Sequence, residues 1–225
     1  MWEHKANTGS KDPEKWKENM KQLCAFNTVE DFWQYFTHLP KPSEVFFDGD
    51  CRKKLSEAVP AAADADAAAE AESSTDSPPP AAAASPDGGK TVEEYSLFKK
   101  GIEPEWGDPQ NVTGGEWFCR QYFEGDVLDL YWKNLVMACI GETIEDAVDD
   151  GTGSFENHIN GARVVDKSRH YPLYKIELWL KTRDPVIKER IKNKLIELIT
   201  ELGDGQSMMS SRKMTPKFDW RDHSA

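Results

Sequence analysis

The sequence predicts an α+β fold in which helices cover one face of an antiparallel sheet. Three segments carry apolar residues at helical spacing, and segments with strand-like alternation lie between them. Single helices between clusters of strands are typical of an antiparallel sheet with helices on one side. The chain has 225 residues, of which 38% are hydrophobic, so it is long enough to bury a core of ordinary size.

The first predicted helix spans residues 28–38 and the second spans 127–143. Thr28 and Asp31 form a capping-box pattern at the start of the first helix, and Asp126 is the expected N-cap of the second. Apolar residues recur along both segments every three or four positions. Each helix is therefore expected to bury one face against the sheet.

The third predicted helix spans residues 185–202. Asp184 supplies the N-cap, Pro185 occupies the first helical position and Gly203 ends the helix.

Strands are predicted over 116–123, 161–169 and 171–181, and the last has the clearest alternation. One of its faces is apolar and fits a helix-covered core: Tyr174, Ile176, Leu178 and Leu180. The other face carries polar groups and one large aromatic side chain: Lys175, Glu177 and Trp179. This second face is typical of a binding surface.

The segment 56–90 is rich in Ala, Pro, Ser and acidic residues and has almost no large apolar side chain. Such a composition cannot offset the entropy of ordering, so the segment is predicted to be a disordered insertion. We therefore expect a single domain over residues 1–225, interrupted at about 56–90. The C-terminal segment 207–225 receives no predicted element.

The formal net charge of −12 argues against broad binding to nucleic-acid phosphates. Between Glu57 and Lys90 there are seven acidic residues and one lysine, a net of −6, so the rest of the chain is only mildly acidic. A local basic pocket for one small anionic group therefore remains compatible with the composition.

Motifs for phosphate loops, nucleotide-binding glycines and nucleophilic serines are absent, and no histidine has metal-ligand spacing to a cysteine. We therefore expect a binding protein that is not an enzyme, with no cofactor and no metal. The four cysteines form no Cys-x-x-Cys pair and there is no long apolar run, which favours free thiols in a cytoplasmic protein without membrane contact.

Five of the eight tryptophans can be interpreted from their neighbours in the sequence. Trp117 and Trp132 have apolar neighbours in a strand and a helix and are expected in the core, whereas Trp33 is expected either in the core or on a partner surface. Trp16 and Trp106 lie in polar, turn-rich segments, where an exposed indole favours a binding site.

Four sequence runs resemble the cap-binding translation initiation factor 4E family. In chain order they are Phe26–Trp33, Tyr95–Trp106, Gly114–Trp117 and Trp132–Glu142. The resemblance covers roughly residues 14–55 and 91–202, and the insertion has no counterpart. It implies a curved antiparallel sheet of about seven to eight strands, three long helices on its convex face and a slot for the messenger RNA cap on its concave side.

In this family two loop tryptophans sandwich the 7-methylguanine base, and by position these resemble Trp16 and Trp106. A third tryptophan, which resembles Trp179, contacts the methyl group. Methylation makes the base cationic, so stacking gains a cation–π contribution. The family glutamate that binds the guanine edge is replaced by Gly107, so either Glu105 or Asp108 is expected to supply the carboxylate.

The resemblance also implies cations for the cap phosphates. Lys175 matches the family lysine and Lys167 the upstream arginine, and Arg169 is a further candidate on the same strand face. For Arg163, on the same alternation, the interpretation as an ordinary solvated strand residue is preferred.

The family presents its helical face to proteins that carry a helical Tyr-x-x-x-x-Leu motif, either a scaffold of the initiation factor 4G type or a 4E-interacting repressor. The matching positions here are Val29, Trp33, Met137 and Ile140. Lys133 and Asn134 replace a leucine and a glutamate of the family, which favours an altered partner preference. Two functions stay open: a cap-binding initiation factor, and a module of the same fold with weak cap affinity that sequesters partners.

Overall fold

The computed structural model describes residues 1–5, 18–48, 92–148, 157–202 and 215–223. Within them, seven strands form one sheet: β1 (Trp2–Lys5), β2 (Met20–Gln22), β3 (Val92–Phe98), β4 (Gly115–Gln121), β5 (Ile159–Asp166), β6 (Tyr174–Leu180) and β7 (Asp219–Asp222). The strand order is β2-β1-β3-β5-β6-β4-β7, and all neighbours are antiparallel. The predicted curved antiparallel sheet is confirmed.

In the described parts of the chain, three helices of two turns or more accompany the sheet, together with two short ones. Their bounds are α1 (Val29–Phe36), α2 (Pro42–Val45), α3 (Gly125–Ile140), a 3-10 turn (Glu145–Ala147) and α4 (Pro185–Ile199). The Thr28 side chain accepts a hydrogen bond from the Asp31 amide, and Asp184 accepts from two amides of α4, as predicted. The prediction of Asp126 as a cap is wrong, because α3 begins at Gly125, two residues before the predicted start, and Glu124 is its N-cap.

The main core lies between the helices and one face of the sheet. The apolar face of β6 enters this core, and so do Trp117 (5% exposed) and Trp132 (2% exposed), as predicted. A separate small cluster of Phe98, Ile102 and Trp179 forms on the other side of the sheet, which we call the helix-free face. The alternation of β6 therefore assigned its residues to the correct sides of the sheet.

The Gly114–Gly115 pair is required by close packing between strands. A Cβ on Gly114 would lie 1.7 Å from the carbonyl oxygen of Leu180, and one on Gly115 would lie 2.5 Å from the carbonyl oxygen of Arg221. Real Cβ atoms do not approach so closely, so only glycine fits where β4 meets β6 and β7.

Three predicted features lie outside the described residues: Trp16, the insertion at 56–90 and Gly203, the expected end of the third helix. Of the C-terminal segment, residues 215–223 are described and contain β7. In the described part of the chain, no helix is long and apolar enough to cross a membrane.

Candidate functional site

The loop between β3 and β4 holds Trp106 at the edge of the helix-free face. The buried Asn111 amide donates hydrogen bonds to the carbonyl oxygens of Glu103 (2.8 Å) and Glu105 (2.9 Å), and its own oxygen accepts one from Asn160 at 2.9 Å. These bonds fix the backbone before Trp106, because a satisfied buried polar network favours one conformation. The indole itself remains 39% exposed.

Trp179 lies on the same face with no exposed surface (0%). Its Nε1 donates a hydrogen bond to Glu177 Oε2 at 2.8 Å, the Phe98 ring meets it edge-on, and the Arg163 guanidinium lies 5.2 Å from its ring centre. The β6 face that the sequence predicted to be a binding surface is therefore covered by protein side chains in this conformation.

Six charged residues alternate in sign across five strands of the helix-free face, and we call them the charge ladder. In spatial order they are Glu94, Arg163, Glu177, Lys175, Glu116 and Arg221. The three positive charges match the three negative ones, so the ladder is electrically neutral.

The lysine predicted for the cap phosphates is part of this ladder. The Lys175 ammonium lies 2.9 Å from Glu116 Oε1 and 2.5 Å from Glu177 Oε1, and the residue is 7% exposed. Arg163, expected to be solvated, is instead ion-paired with Glu94 and Glu177; that preferred interpretation is wrong because β3 and β6 bring carboxylates to both sides of it.

The other two phosphate candidates follow the end of β5. Lys167 and Arg169 are both exposed, and the Lys167 amide bonds to the carbonyl of Leu173. The Lys167 residue is exposed as a whole, but protein atoms around its ammonium group desolvate the charge and lower its pKa. The nearby Arg163 guanidinium lowers this pKa further.

Glu116 is fully buried beneath the ladder's cations. Burial alone would raise the pKa of its carboxyl, but the adjacent His223 ring, the charge of Lys175 and the bond from Arg221 more than offset this, and the pKa falls to about 2. The residue is therefore ionised at neutral pH and forms ion pairs with Lys175 of β6 and Arg221 of β7.

The carboxylates considered for the guanine edge differ in their surroundings. Asp108 is 8% exposed, and its oxygens accept hydrogen bonds from the amides of Glu103 (2.9 Å) and Gln110 (2.8 Å), so it serves the loop itself. Glu105 is half-buried in the same loop. Around Gly107 there is open space, since a Cβ there would have no atom within 4 Å.

The C-terminal end of β7 reaches the two tryptophans of this face. The His223 ring is fully buried, with its centre 4.3 Å from that of Trp179 and 5.9 Å from that of Trp106, to which it is nearly parallel (20°). The Arg221 guanidinium lies 4.7 Å from the Trp106 ring centre. The ring of Trp106 is thus in contact with a cation and an aromatic ring of its own chain.

The helical face carries the residues predicted for partner binding. Val29 is 56% exposed and Trp33 38% exposed on α1, while Met137 and Ile140 of α3 are half-buried against the core. Asn134, which replaces a family glutamate, donates hydrogen bonds to the carbonyls of Ile199 (3.1 Å) and Glu201 (2.8 Å). It therefore provides hydrogen-bond donors for carbonyl groups at the C-terminal end of α4.

Sequence reasoning missed Glu116, Arg221 and His223. In the segment Asp219–Asp222 one aspartate lies on each side of Trp220 and Arg221, which is a weak strand signal. Only the pairing of β7 with β4 brings these residues beside Trp106 and Trp179.

Comparison with known proteins agrees with the fold. The family model described as "Eukaryotic initiation factor 4E" matches residues 1–52 and 82–220. Eukaryotic translation initiation factor 4E-2 of Schizosaccharomyces pombe is 28% identical over 185 residues, which is 82% of this chain and 54% of that protein. The chain spans about half the length of the first curated relatives it matches (54%, 46% and 47%).

Two solved structures share the fold. The crystal structure of Ascaris suum eIF4E-3 with the m2,2,7G cap has a TM-score of 0.59 and 25% identity, covering 100% of this chain and 87% of the other. The complex of C. elegans eIF4E-3 with the 4E-binding protein Mextli has a TM-score of 0.59 and 23% identity, covering 99% and 88%. The fold is of the initiation factor 4E class. The chain belongs to the eukaryotic initiation factor 4E family.

Proposed function

We propose that this chain binds the 7-methylguanosine cap of messenger RNA on its helix-free face and delivers the message to translation initiation through a protein docked on its helical face. The observation that carries the proposal is the half-exposed Trp106, held on a hydrogen-bonded loop beside the face that contains Trp179. Membership of the family supports it. The solved Ascaris suum relative, moreover, contains a cap.

In this proposal Trp106 and Trp16 stack on the two sides of the methylated base, and Trp179 contacts the methyl group. Stacking on an aromatic ring contributes about 1–3 kcal/mol per base, and the positive charge of the methylated base strengthens it. Trp106 fits this role because its ring is exposed while its backbone is fixed, so little ordering entropy is lost on binding.

Glu105 is the preferred acceptor for the guanine edge, because the Asp108 carboxylate already bonds two amides of the loop. Lys167 and Arg169, both exposed, meet the cap phosphates first. Lys175 takes part when a phosphate displaces Glu116 or Glu177 from its ammonium group. Contact between Lys175 and a cap phosphate thus requires that the phosphate replace a carboxylate of the charge ladder.

The partner is a protein with a helical Tyr-x-x-x-x-Leu motif that docks on Val29, Trp33, Met137 and Ile140. The two exposed side chains lie on α1, where an apolar patch fits the apolar side of an amphipathic helix. The C. elegans relative has been solved with a 4E-binding protein, which supports a partner of this kind.

Tryptophan fluorescence during titration with 7-methyl-GTP tests the cap-binding proposal, with unmethylated GTP as the reference ligand. We expect quenching with an affinity for 7-methyl-GTP at least about tenfold above that for GTP. Trp106→Ala should abolish most of the binding, whereas Trp33→Ala, which removes an equally exposed indole from the opposite face, should not change it. Equal affinity for the two nucleotides would contradict the proposal.

A second function, a partner-sequestering module with weak cap affinity, is favoured by two specific observations. Lys175 is neutralised by two carboxylates, and Gly107 lacks the family carboxylate. The two functions differ in the ratio of affinities: a sequestering module binds the partner peptide tightly while 7-methyl-GTP and GTP bind equally weakly.

A further inference from the structure

The last described residues of the chain occupy the space between the two tryptophans of the helix-free face. The ring of His223 contacts Trp179 at 4.3 Å between centres and lies nearly parallel to Trp106 at 5.9 Å. The family model ends at residue 220, so Arg221 and His223 lie beyond the part of the chain that it matches. These two residues are therefore not part of the sequence that places the chain in the family.

Several hydrogen bonds hold His223 in this position. Its amide donates to the carbonyl of Gly114 at 3.0 Å, and its Nδ1 lies 3.0 Å from the carbonyl oxygen of Asn111, which can only accept. The Arg183 guanidinium donates to the His223 carbonyl oxygen and to that of Gly114. These bonds tie the C-terminal segment to the same loop that carries Trp106.

The burial of Trp179 shows what this contact excludes. A methyl group can be read by an indole only where the indole has accessible surface, and Trp179 has none (0%). A base stacked on Trp106 and touching Trp179 must lie against both rings, and the His223 ring already does so. The two rings cannot share that space, because protein interiors leave no room for a second aromatic group.

The chemistry of the segment is similar to that of the expected ligand. The Arg221 guanidinium lies 4.7 Å from the ring centre of Trp106, in the range of a cation–π contact, and His223 adds a planar ring. The Nε2 of His223 faces Glu116 Oε2 at 3.6 Å, and among the described residues neither atom has a hydrogen-bond partner. A cation and a flat heteroaromatic ring are also what a 7-methylated guanine presents to an indole.

We infer that residues 221–223 are an internal occupant of the base-binding surface, and that a cap must displace the His223 ring before Trp179 can contact its methyl group. This inference rests on the proposed cap-binding function. It makes the C-terminal segment a determinant of cap affinity, since binding must break the contacts that hold the segment. The alternative is a brace, in which the segment supports Trp106 from behind while the base binds.

Hydrogen exchange of the unmodified chain, with and without 7-methyl-GTP, distinguishes the occupant from the brace. Displacement predicts faster exchange of the amides of Asp219–His223 when 7-methyl-GTP is bound, including the His223 amide that bonds to Gly114. Slower or unchanged exchange of these amides in the bound state would overturn the inference.

His223→Ala provides an independent test. The variant should bind 7-methyl-GTP about fivefold more tightly than the parent, because the base no longer competes with the imidazole. His38→Ala, which removes an exposed histidine from the end of α1, should not change the affinity. Weaker binding by a His223→Ala chain that keeps the parental melting temperature would show that the residue is a brace.

The contact between His223 and Trp179 can also be tested without cap binding. If neither chain binds 7-methyl-GTP, 5-fluorotryptophan NMR, with the Trp179 signal assigned by Trp179→Phe, reports whether His223→Ala exposes that indole to solvent. A solvent isotope shift that appears only in the variant supports the occupant even without cap binding. No shift means that His223 does not cover Trp179, and the inference is then wrong.

Discussion

The ammonium group of Lys175 lies 2.9 Å from the Oε1 of Glu116, and the same oxygen accepts a hydrogen bond from Arg221 Nε at 2.9 Å. The Glu116 carboxylate of β4 thus binds Lys175 of β6 and Arg221 of β7 at the same time. A phosphate that reaches this lysine must compete with a buried carboxylate of opposite charge to the cation.

Glu116→Gln is expected to strengthen binding of phosphates more than binding of the base. Removing the negative charge leaves Lys175 with Glu177 alone, so its ammonium interacts more strongly with an incoming triphosphate. We predict that the ratio of affinities for 7-methyl-GTP and 7-methylguanosine rises about threefold or more, measured by fluorescence titration. Glu189→Gln on α4 is the control, and an unchanged ratio in Glu116→Gln would show that Lys175 does not contact phosphates.

Gly107→Glu should increase guanine affinity and selectivity. The position has open space around a Cβ and is not among the positive-φ glycines, so a longer side chain fits without strain. A carboxylate that accepts two guanine hydrogen bonds contributes about 1–3 kcal/mol. The measurement compares 7-methyl-GTP with 7-methyl-ITP, which lacks the amino group.

Glu105→Gln examines the same carboxylate role in the parent chain. If Glu105 accepts the guanine hydrogen bonds, its amide variant loses about tenfold in 7-methyl-GTP affinity, and Gly107→Glu in the same chain restores it. Parental affinity in Glu105→Gln would mean that this carboxylate does not touch the base.

Trp33→Ala is expected to weaken docking of a helical Tyr-x-x-x-x-Leu peptide without affecting the fold. The indole is 38% exposed, so the loss of folding stability is about 1 kcal/mol or less, while loss of an aromatic anchor typically costs about 2 kcal/mol of binding energy. Isothermal titration with such a peptide and a thermal melt separate the two effects. Tyr35→Ala, a similarly exposed aromatic on the same helix, shows whether the loss is specific to position 33.

The stability of the fold should fall in acid partly because of Glu116. Its folded-state pKa of about 2 is below the ordinary value of 4.5, so the carboxylate contributes stability that is complete above about pH 4.5 and is lost as the pH falls through about 2. We expect the parent chain to lose on the order of 2 kcal/mol more than Glu116→Gln across this window in chemical unfolding. Parallel pH profiles for the two chains would contradict the assignment.

The alternation of β6 and the caps of α1 and α4 could be predicted from the sequence because each depends on neighbours within a few positions. Thr28, Asp184 and the apolar face of β6 have the predicted contacts. The covered state of Trp179 and the neutralised state of Lys175 could not be predicted. Their partners Glu116 and His223 are brought close only by the order of strands in the sheet, which local periodicity does not encode.

The same limitation explains the error at Arg163. Alternation placed it on a polar strand face, which in an isolated strand would be solvated. In the sheet, Ser96 and Glu177 are its register partners, and Glu94 lies two residues from Ser96 on the same face. Pairing of β5 with β3 and β6 therefore places Arg163, which the sequence alone predicted to be solvated, in ion pairs with carboxylates.

The charge ladder also constrains how this face can change in evolution. Each interior member lies between two charges of opposite sign, so replacing one of them leaves two unbalanced neighbours in a partly desolvated setting. Substitutions along the ladder should be strongly epistatic: harmful singly, tolerated when a compensating change on the adjacent strand accompanies them. A drift toward a more basic face would then proceed through paired replacements, and the intermediates would be the least stable members of the lineage.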